Sequence, residues 1–201
     1  MNRIPEPLQK LVSQLGRLPG LGPKSAMRVA MTLLKWPETE TRRLGESIAR
    51  LRDDLHLCSR CGALCEAELC PVCSDDTRSD EELCVVPDWD SMLTMEEGGF
   101  YRGRYVILGG LLSPLDNMNS DSLDIDRLEA CLDEGRVREV ILALGSTVEA
   151  EATASHLHAR LARRYPHVSI CRLAQGIPLG AEVKFMDHET LRQALKYRQT
   201  L

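Results

Sequence analysis

Residues 58–73 read CSRCGALCEAELCPVC and contain two cysteine pairs, Cys58 with Cys61 and Cys70 with Cys73. A gap of two residues lets both thiolates of a pair turn toward one point, and two such pairs supply the tetrahedral sulfur shell that Zn²⁺ prefers. The segment between the pairs is too short to bury an apolar core, so metal binding must supply the folding energy of this module. The spacing predicts a structural site for one zinc ion, with no open coordination position for catalysis.

Two disulfides in an exported domain are the alternative interpretation of these pairs. The chain starts Met1-Asn-Arg-Ile-Pro-Glu-Pro, without the apolar stretch of an export signal, and this start favours the zinc site and a cytoplasmic location. No apolar run is long enough to cross a bilayer. Cys65 lies between the pairs and could replace a neighbouring ligand, but the paired spacing favours the other four and leaves Cys65 a free thiol.

Composition indicates more than one module and an uneven distribution of charge. A chain of 201 residues with 43% hydrophobic residues can bury one ordinary core and one or two small satellites. Residues 1–60 contain eleven Lys or Arg and six Asp or Glu, whereas the rest contains fourteen and twenty-four. A basic end suits an anionic polymer and an acidic remainder suits a metal or a basic protein, but ordinary solvated faces explain the charges equally well.

Three apolar stripes with helical spacing precede the cysteine module and predict three helices, over residues 8–15, 29–34 and 44–55. Trp36-Pro37 is expected to end the second helix, and the polar run 38–41 to start the third. After the cysteine module, the polar run 74–82 is interpreted as a linker.

A larger domain follows the linker, because short runs rich in β-branched residues alternate with helical patterns. This alternation predicts a parallel sheet with crossover helices. The candidate strands are 83–86, 105–108, 140–144, 168–173 and 183–186, and the clearest helices are 126–134 and 149–164.

The connection between the first two helices reads Leu18-Pro-Gly-Leu-Gly-Pro-Lys-Ser-Ala26. Gly20 and Gly22 permit a tight turn with positive φ, and Pro23 suits the first position of the next helix, whose free amides point out of the turn. Such a group of amides binds a phosphate. The connection is therefore a candidate contact with the phosphates of a nucleic acid.

Three cations strengthen this candidate. Lys24 and Arg28 lie four residues apart on one helical face, and Arg17 could add charge from the other side. The pattern closely resembles the helix-hairpin-helix motif, which grips the DNA backbone without reading bases. A nucleotide-binding Walker A loop is disfavoured, because Pro23 interrupts the required Gly-Lys-Ser run. A plain turn that binds nothing, or a contact between subunits, remains open.

The order of these modules resembles the RecR family of bacterial recombination mediators. Five strings stand in the family's order, and they are residues 18–26, 58–73, 112–116 (Leu-Ser-Pro-Leu-Asp), 147–154 (Thr-Val-Glu-Ala-Glu-Ala-Thr-Ala) and 176–180 (Gly-Ile-Pro-Leu-Gly). The resemblance implies a multidomain α/β protein: a helical domain with the helix-hairpin-helix over 1–56, a four-cysteine zinc finger over 57–76, a TOPRIM domain with a Rossmann-like parallel sheet over 80–175, and a strand-helix segment over 176–201.

The same resemblance implies a function. RecR proteins are cytoplasmic and associated with the nucleoid. They form a ring-shaped tetramer, bind DNA, and act with RecO and, in many bacteria, with RecF. Together these proteins help to load the RecA recombinase onto single-stranded gaps. A zinc-bearing scaffold that binds only proteins is a further alternative.

TOPRIM enzymes place a glutamate after the first strand and an Asp-x-Asp pair after a later one, because paired carboxylates hold Mg²⁺ beside a phosphodiester. Here those positions hold Pro87, Gly145 and Thr147. The family itself usually has glutamate where Pro87 stands, and Asn and Pro where Gly145 and Ser146 stand. We therefore expect no catalysis by this chain.

Other acidic residues leave an alternative. A Mg²⁺-dependent nuclease or primase-like enzyme would need Asp88, Asp116, Glu149 or Glu151 to rebuild a metal site. Glu149 and Glu151 suit the positive end of a helix dipole, which explains them structurally. Similar acidic positions in the family face RecO, and both residues are candidates for binding that partner.

Overall fold

The structure is a computed structural model that describes residues 4–116 and 118–198, without the side chain of Asp116. The chain divides into two compact units, a helical unit that ends at Asp54 and an α/β unit that begins at Leu55. Residues 1–3 of the predicted helical domain and residues 199–201 of the predicted C-terminal segment lie outside the described residues. Residues 1–3 are also part of the stretch, residues 1–7, on which the prediction of no export signal is based.

The helical unit contains the three predicted helices. They are α1 (Glu6–Leu15), α2 (Pro23–Leu33) and α3 (Glu38–Asp54). Proline occupies the first turn of α1 and of α2, and Trp36-Pro37 precedes α3 as expected. Among the described residues of this unit, Ala26 and Ala30 are the buried ones. The unit packs its helices through small residues and leaves long apolar side chains largely exposed, Leu34 and Ile48 among them.

The α/β unit begins with a small antiparallel hairpin. Its strands are β1 (His56–Leu57) and β2 (Leu64–Cys65), with His56 opposite Cys65. The first cysteine pair lies in the loop between the two strands, and the second pair follows β2. The hairpin therefore brings the two pairs toward each other.

A four-stranded parallel sheet follows and confirms the predicted architecture. Its strands are β3 (Glu82–Val86), β4 (Arg104–Ile107), β5 (Glu139–Leu142) and β6 (Ser169–Arg172), in the spatial order β4-β3-β5-β6. The connecting helices are α4 (Trp89–Gly98), α5 (Ile125–Asp133) and α6 (Val148–Arg164). Helix α4 was not among the predicted helices. No helix in the described ranges combines the length and apolarity of a membrane span.

Side chains of the central strands alternate between two apolar clusters, because successive residues of a strand point to opposite faces. Leu83 and Val85 pack with α5 and α6, whereas Cys84 and Val86 pack with α4 and the five cysteines of residues 58–73. A parallel sheet needs cover on both faces. Here the cysteine module supplies part of that cover, in a place where other α/β proteins use a helix.

A partly buried ionic cluster joins α5 to α6. Glu129 of α5 accepts hydrogen bonds from Arg160 Nε at 2.6 Å and from Arg164 Nη1. The Tyr165 hydroxyl donates to Asp133 Oδ1 at 2.7 Å. These contacts hold the two helices side by side on one face of the sheet.

The polar run 74–82, predicted as a linker, is instead tied to the domain. Arg78 donates through Nη1 to Glu96 Oε1 at 3.0 Å, and Asp80 accepts from Arg104 Nε at 2.9 Å. Its last residue opens β3. Polarity here reflects ion pairing with later elements rather than freedom of the chain.

The strand predicted at 183–186 is wrong. Those residues form a 3₁₀ turn, Val183–Phe185, followed by α7 (His188–Lys196), which is the helix expected in the C-terminal segment. The amide of Phe185 donates to Glu182 O at 3.0 Å, and the amide of Met186 donates to Val183 O at 3.2 Å. Because no described strand pairs with this segment, its backbone makes local hydrogen bonds.

Candidate functional site

The four paired cysteines meet at one buried point. Cys58, Cys61, Cys70 and Cys73 are all buried, and their sulfurs lie within 4.8 Å of one another. Tetrahedral zinc with bonds of about 2.3 Å separates its sulfurs by about 3.8 Å. The Sγ atoms of Cys61 and Cys70 are 3.5 Å apart. The quartet therefore fits one zinc ion, and the predicted metal site is confirmed.

Backbone amides around the quartet favour thiolates. The amide of Ala63 donates to Cys61 Sγ at 3.4 Å, and the amide of Cys70 donates to Cys58 Sγ at 3.3 Å. The hydrogen bond between Cys61 and Cys70 lowers the pKa of Cys70 and raises that of Cys61, and the contacts with both sulfurs raise the pKa of Cys73. Burial raises the pKa of Cys58, but backbone hydrogen bonds outweigh burial and lower it. Thiolate is the form that binds zinc.

Cys65 lies outside this group, as the paired spacing predicted. Its thiol donates to the carbonyl of Ala67 at 2.9 Å. A buried thiol bonded to its own turn acts as a small packing residue.

The turn between α1 and α2 has the conformation expected at one glycine and not at the other. Gly20 has φ of +77°, in the left-handed region. Gly22 is extended, with φ of −72° and ψ of 169°, so the predicted positive φ is wrong there. Gly22 precedes α2 as its N-cap, and no side chain caps that end. The amides of the first turn of α2 therefore point out of the helix end.

Three cations lie on the elements that flank this turn. Lys24 and Arg28 project from α2, Arg17 lies just after α1, and all three are exposed. No carboxylate of the described residues forms an ion pair with any of them. Free cations and outward-pointing amides are the groups that contact nucleic-acid phosphates.

Glu149 and Glu151 both lie in the first turn of α6, but their surroundings differ. Glu149 is exposed, whereas Glu151 accepts from Arg172 Nη1 at 2.8 and 2.7 Å and from Gln175 Nε2 at 2.8 Å. The Gln175 hydrogen bond, followed by that of Arg172, lowers the pKa of Glu151. Of the two predicted partner contacts, only Glu149 is free of an ion pair among the described side chains.

Family models match almost the whole chain in the order of these elements. They are the RecR helix-hairpin-helix over residues 8–52, the RecR zinc finger domain with four cysteines over 55–75, the Toprim domain over 81–174 and the RecR C-terminal segment over 176–199. The chain belongs to the RecR family. The resemblance inferred from the motifs is thereby confirmed, together with the zinc finger and the TOPRIM fold.

Curated relatives agree with this RecR assignment over the full length. Each of the following is named "Recombination protein RecR". The chain is 64% identical over 201 residues to the protein of Nitratidesulfovibrio vulgaris (strain DSM 19637 / Miyazaki F), and 50% identical over 201 residues to that of Maridesulfovibrio salexigens, with 100% of both chains covered in each case. It is 40% identical over 197 residues to the protein of Myxococcus xanthus (strain DK1622), which covers 98% of this chain and 99% of the relative.

The TOPRIM positions of this RecR chain carry structural roles. Pro87 is buried behind β3, and Asp88 caps α4 by accepting from the amide of Ser91 at 2.8 Å. Gly145 has φ of +89°, and the hydroxyl of Thr147 accepts from an amide of the first turn of α6. Among the described side chains, the four cysteines are the one group of three or more metal-ligating residues close enough to share an ion.

Asp80 is a residue that sequence analysis missed. Its carboxylate accepts from Arg104 Nε at 2.9 Å and Arg136 Nη1 at 2.7 Å, and lies 3.5 Å from Arg60 Nη2. Burial raises its pKa, but these arginines outweigh burial and lower it. Arg60 stands inside the first cysteine pair, so Asp80 links the zinc module to the sheet. Only the three-dimensional structure brings these distant residues together.

Proposed function

We propose that this RecR protein is a non-enzymatic mediator of recombinational DNA repair. It binds DNA without sequence preference and acts with RecO to promote loading of RecA onto single-stranded gaps, with RecF as a second candidate partner. The observation that carries the proposal is the uncapped start of α2 with its unpaired cations, Lys24 and Arg28. Relatives that match over the full length are named recombination proteins, which supports the same role.

Phosphate contact explains binding without sequence preference. The amides of α2 and the side chains of Arg17, Lys24 and Arg28 suit phosphate oxygens, while Gly20 and Gly22 let the backbone approach the DNA strand. A Cβ built on either glycine would meet nothing within 4 Å, so both face open space. A ring of four chains would present several such hairpins, and simultaneous contacts raise affinity without new kinds of contact. The segments 1–56, 57–76, 80–175 and 176–201 are the domains we propose for this protein.

RecO binding is assigned to the acidic start of α6. Glu149 is exposed there and offers a carboxylate to a basic partner, whereas Glu151 must first break its ion pair with Arg172. The expected contribution of Glu149 is therefore the larger one. The competing proposal, a Mg²⁺-dependent nuclease, is disfavoured because Asp88 caps a helix and Glu151 is paired with an arginine.

DNA titration tests the proposal. The zinc-loaded protein is added to labelled gapped DNA at several salt concentrations, with and without Mg²⁺, and both binding and strand integrity are scored. The double variant Lys24→Glu/Arg28→Glu is compared with Lys35→Glu/Arg43→Glu, which changes charge equally at exposed positions of the same unit. Each phosphate contact contributes about 0.7 to 0.9 to the slope of log affinity against log salt.

We expect the hairpin variant to lose DNA binding and the control variant to retain most of it, with assembly unchanged in both. Equal losses would show that net charge, and not the hairpin, governs binding. Strand cleavage that requires Mg²⁺ would contradict the non-enzymatic proposal.

RecO binding is tested with the purified RecO of the same bacterium, by calorimetry. Glu149→Gln is expected to weaken binding more than Glu151→Gln, and Glu46→Gln, an exposed residue of α3, serves as the control. Unchanged affinity in both α6 variants would remove this surface from the proposal. Native mass spectrometry should show four chains.

A further inference from the structure

Arg127 of α5 holds the first cysteine pair from outside the zinc module. Its Nη1 donates to Cys58 O at 3.0 Å and to Ser59 O at 2.7 Å, and Asp124 fixes its Nε at 2.6 Å. Gly62, with φ of +80°, leaves room for the guanidinium, because an added Cβ would lie 3.3 Å from Arg127 Nε. The turn that follows the first pair is therefore shaped around this arginine.

Arg104 of β4 holds the second pair in the same way. Its Nη1 donates to Val72 O at 2.6 Å and to Cys73 O at 3.3 Å, while its Nε donates to Asp80. The side chain of Arg104 is only 7% exposed. Each cysteine pair thus has one arginine of the α/β domain bonded to its backbone carbonyls.

Charge explains why a cation beside each pair matters. Zn²⁺ with four thiolates carries a net charge of about −2, and placing such a charge in a buried site is costly unless it is compensated. All four cysteines are buried. A guanidinium bonded to the carbonyls of a pair fixes the backbone from which the thiolates project, and its ion pair with Asp124 or Asp80 leaves part of its positive charge for the site.

We propose that Arg104 and Arg127 are positioning residues of the zinc centre. Each arginine holds the backbone of one cysteine pair in the geometry that zinc binding requires and offsets part of the negative charge of the loaded site. The zinc affinity of the finger therefore depends in part on two residues of the TOPRIM domain. This role is independent of DNA and RecO binding, because neither arginine lies in the hairpin or at the start of α6.

Zinc competition tests the role of Arg127. The full chain is titrated with a chromogenic chelator, and zinc affinity is compared between the native protein, Arg127→Ala and Arg127→Lys. Partners that orient metal ligands typically contribute 10- to 100-fold in affinity, so we expect a loss of about 10-fold or more in the alanine variant. Lysine keeps the charge and should restore part of it.

Cobalt substitution supplies a measurement of ligand geometry that a loss of overall stability alone does not change. The absorption bands of Co²⁺ bound to four thiolates report ligand geometry, and we expect them to shift or weaken in Arg127→Ala. Arg104→Lys keeps the charge at a nearly buried position, but a single ammonium group cannot reproduce the contacts of the guanidinium with the second pair. We therefore expect the Co²⁺ bands to shift or weaken in this variant as well. If Arg104→Lys does not fold, the Arg127 variants decide the question.

Two controls separate positioning from general destabilisation. Leu161→Val removes one methylene from the apolar cluster on the face of the sheet away from the cysteines, where Leu161 is 1% exposed. Arg138→Ala removes an exposed arginine that does not contact the zinc module. Neither should change zinc affinity. The proposal is overturned if Arg127→Ala binds zinc within about twofold of the native protein, or if Leu161→Val weakens zinc binding equally.

Discussion

Replacing Glu129 with glutamine tests the ionic cluster between α5 and α6. The Glu129 side chain is 7% exposed, whereas those of Arg160 and Arg164 are 41% and 51% exposed. Glutamine keeps the shape of the side chain but has one acceptor oxygen, so its amide group must face a guanidinium donor. The variant therefore loses the charge and at least one of the two hydrogen bonds.

The expected cost follows from these contacts. A hydrogen bond to a charged group contributes about 1.5 to 3 kcal/mol, and the half-exposed arginines favour the lower value for each bond because water screens them. The variant loses one of these bonds and, with the charge, weakens the other. We expect a loss of about 2 to 3 kcal/mol in the free energy of unfolding at pH 7. A loss of 1 kcal/mol lowers Tm by about 2 to 4 °C in a chain of this size, which gives about 4 to 12 °C.

The sign of the pH dependence is also fixed. The hydrogen bond from Arg160 lowers the pKa of Glu129 below its ordinary value of 4.5. Its stabilisation is therefore fully present above 4.5 and is lost as pH falls through the lowered folded value. The stability difference between the native protein and Glu129→Gln should shrink in that acidic range.

Urea unfolding of the zinc-loaded protein, followed by circular dichroism, measures this difference. Glu81→Gln is the matched control, because it removes an exposed pair with Arg138 and should cost less than about 0.5 kcal/mol. Acid also releases zinc, but from every variant, so differences between variants are compared. Equal stability of Glu129→Gln and Glu81→Gln at pH 7, or a Glu129 effect that does not shrink as the pH falls below 4.5, would refute the reasoning.

Three further predictions concern single residues. Gly20→Ala should destabilise the helical unit by about 1 kcal/mol in thermal unfolding, because φ is +77° there, whereas Gly22→Ala, at −72°, should not. Tyr165→Phe removes the hydroxyl that donates to Asp133 and should cost about 1 kcal/mol in urea unfolding. Cys65→Ser should retain one zinc per chain by elemental analysis, and loss of zinc would place Cys65 in the ligand shell.

The sequence predicted those parts of the fold that local patterns determine. Strands β3 to β6 were found because short β-branched runs alternate with helical stripes. Helix α4 was missed because it buries one residue, Met92, and so has no apolar stripe to recognise. The run 183–186 resembles a strand in composition, but Val183 and Phe185 are exposed and find no strand to pair with among the described residues.

In the candidate sites, too, local sequence patterns predicted some features and could not predict others. The four paired cysteines among the five of residues 58–73 determine the zinc site, and the spacing of the pairs alone was sufficient to predict it. The contacts that modify the sites join residues far apart in the chain. Arg127 and Cys58 are separated by 69 positions, and Arg172 and Glu151 by 21. No periodicity or motif indicates such pairs, and for this reason the different surroundings of Glu149 and Glu151 became visible only in the structure.

The thin core of the helical unit has a consequence for amide hydrogen exchange. Because Ala26 and Ala30 are the buried residues among those described in this unit, opening α1, α2 or α3 exposes little apolar surface and should require little free energy. The central strands β3 and β5 are covered on both faces and should be the most protected part of the chain. The hairpin that we assign to DNA thus belongs to the least protected element, and a polyanion that binds it should slow exchange there before it changes anything in the sheet.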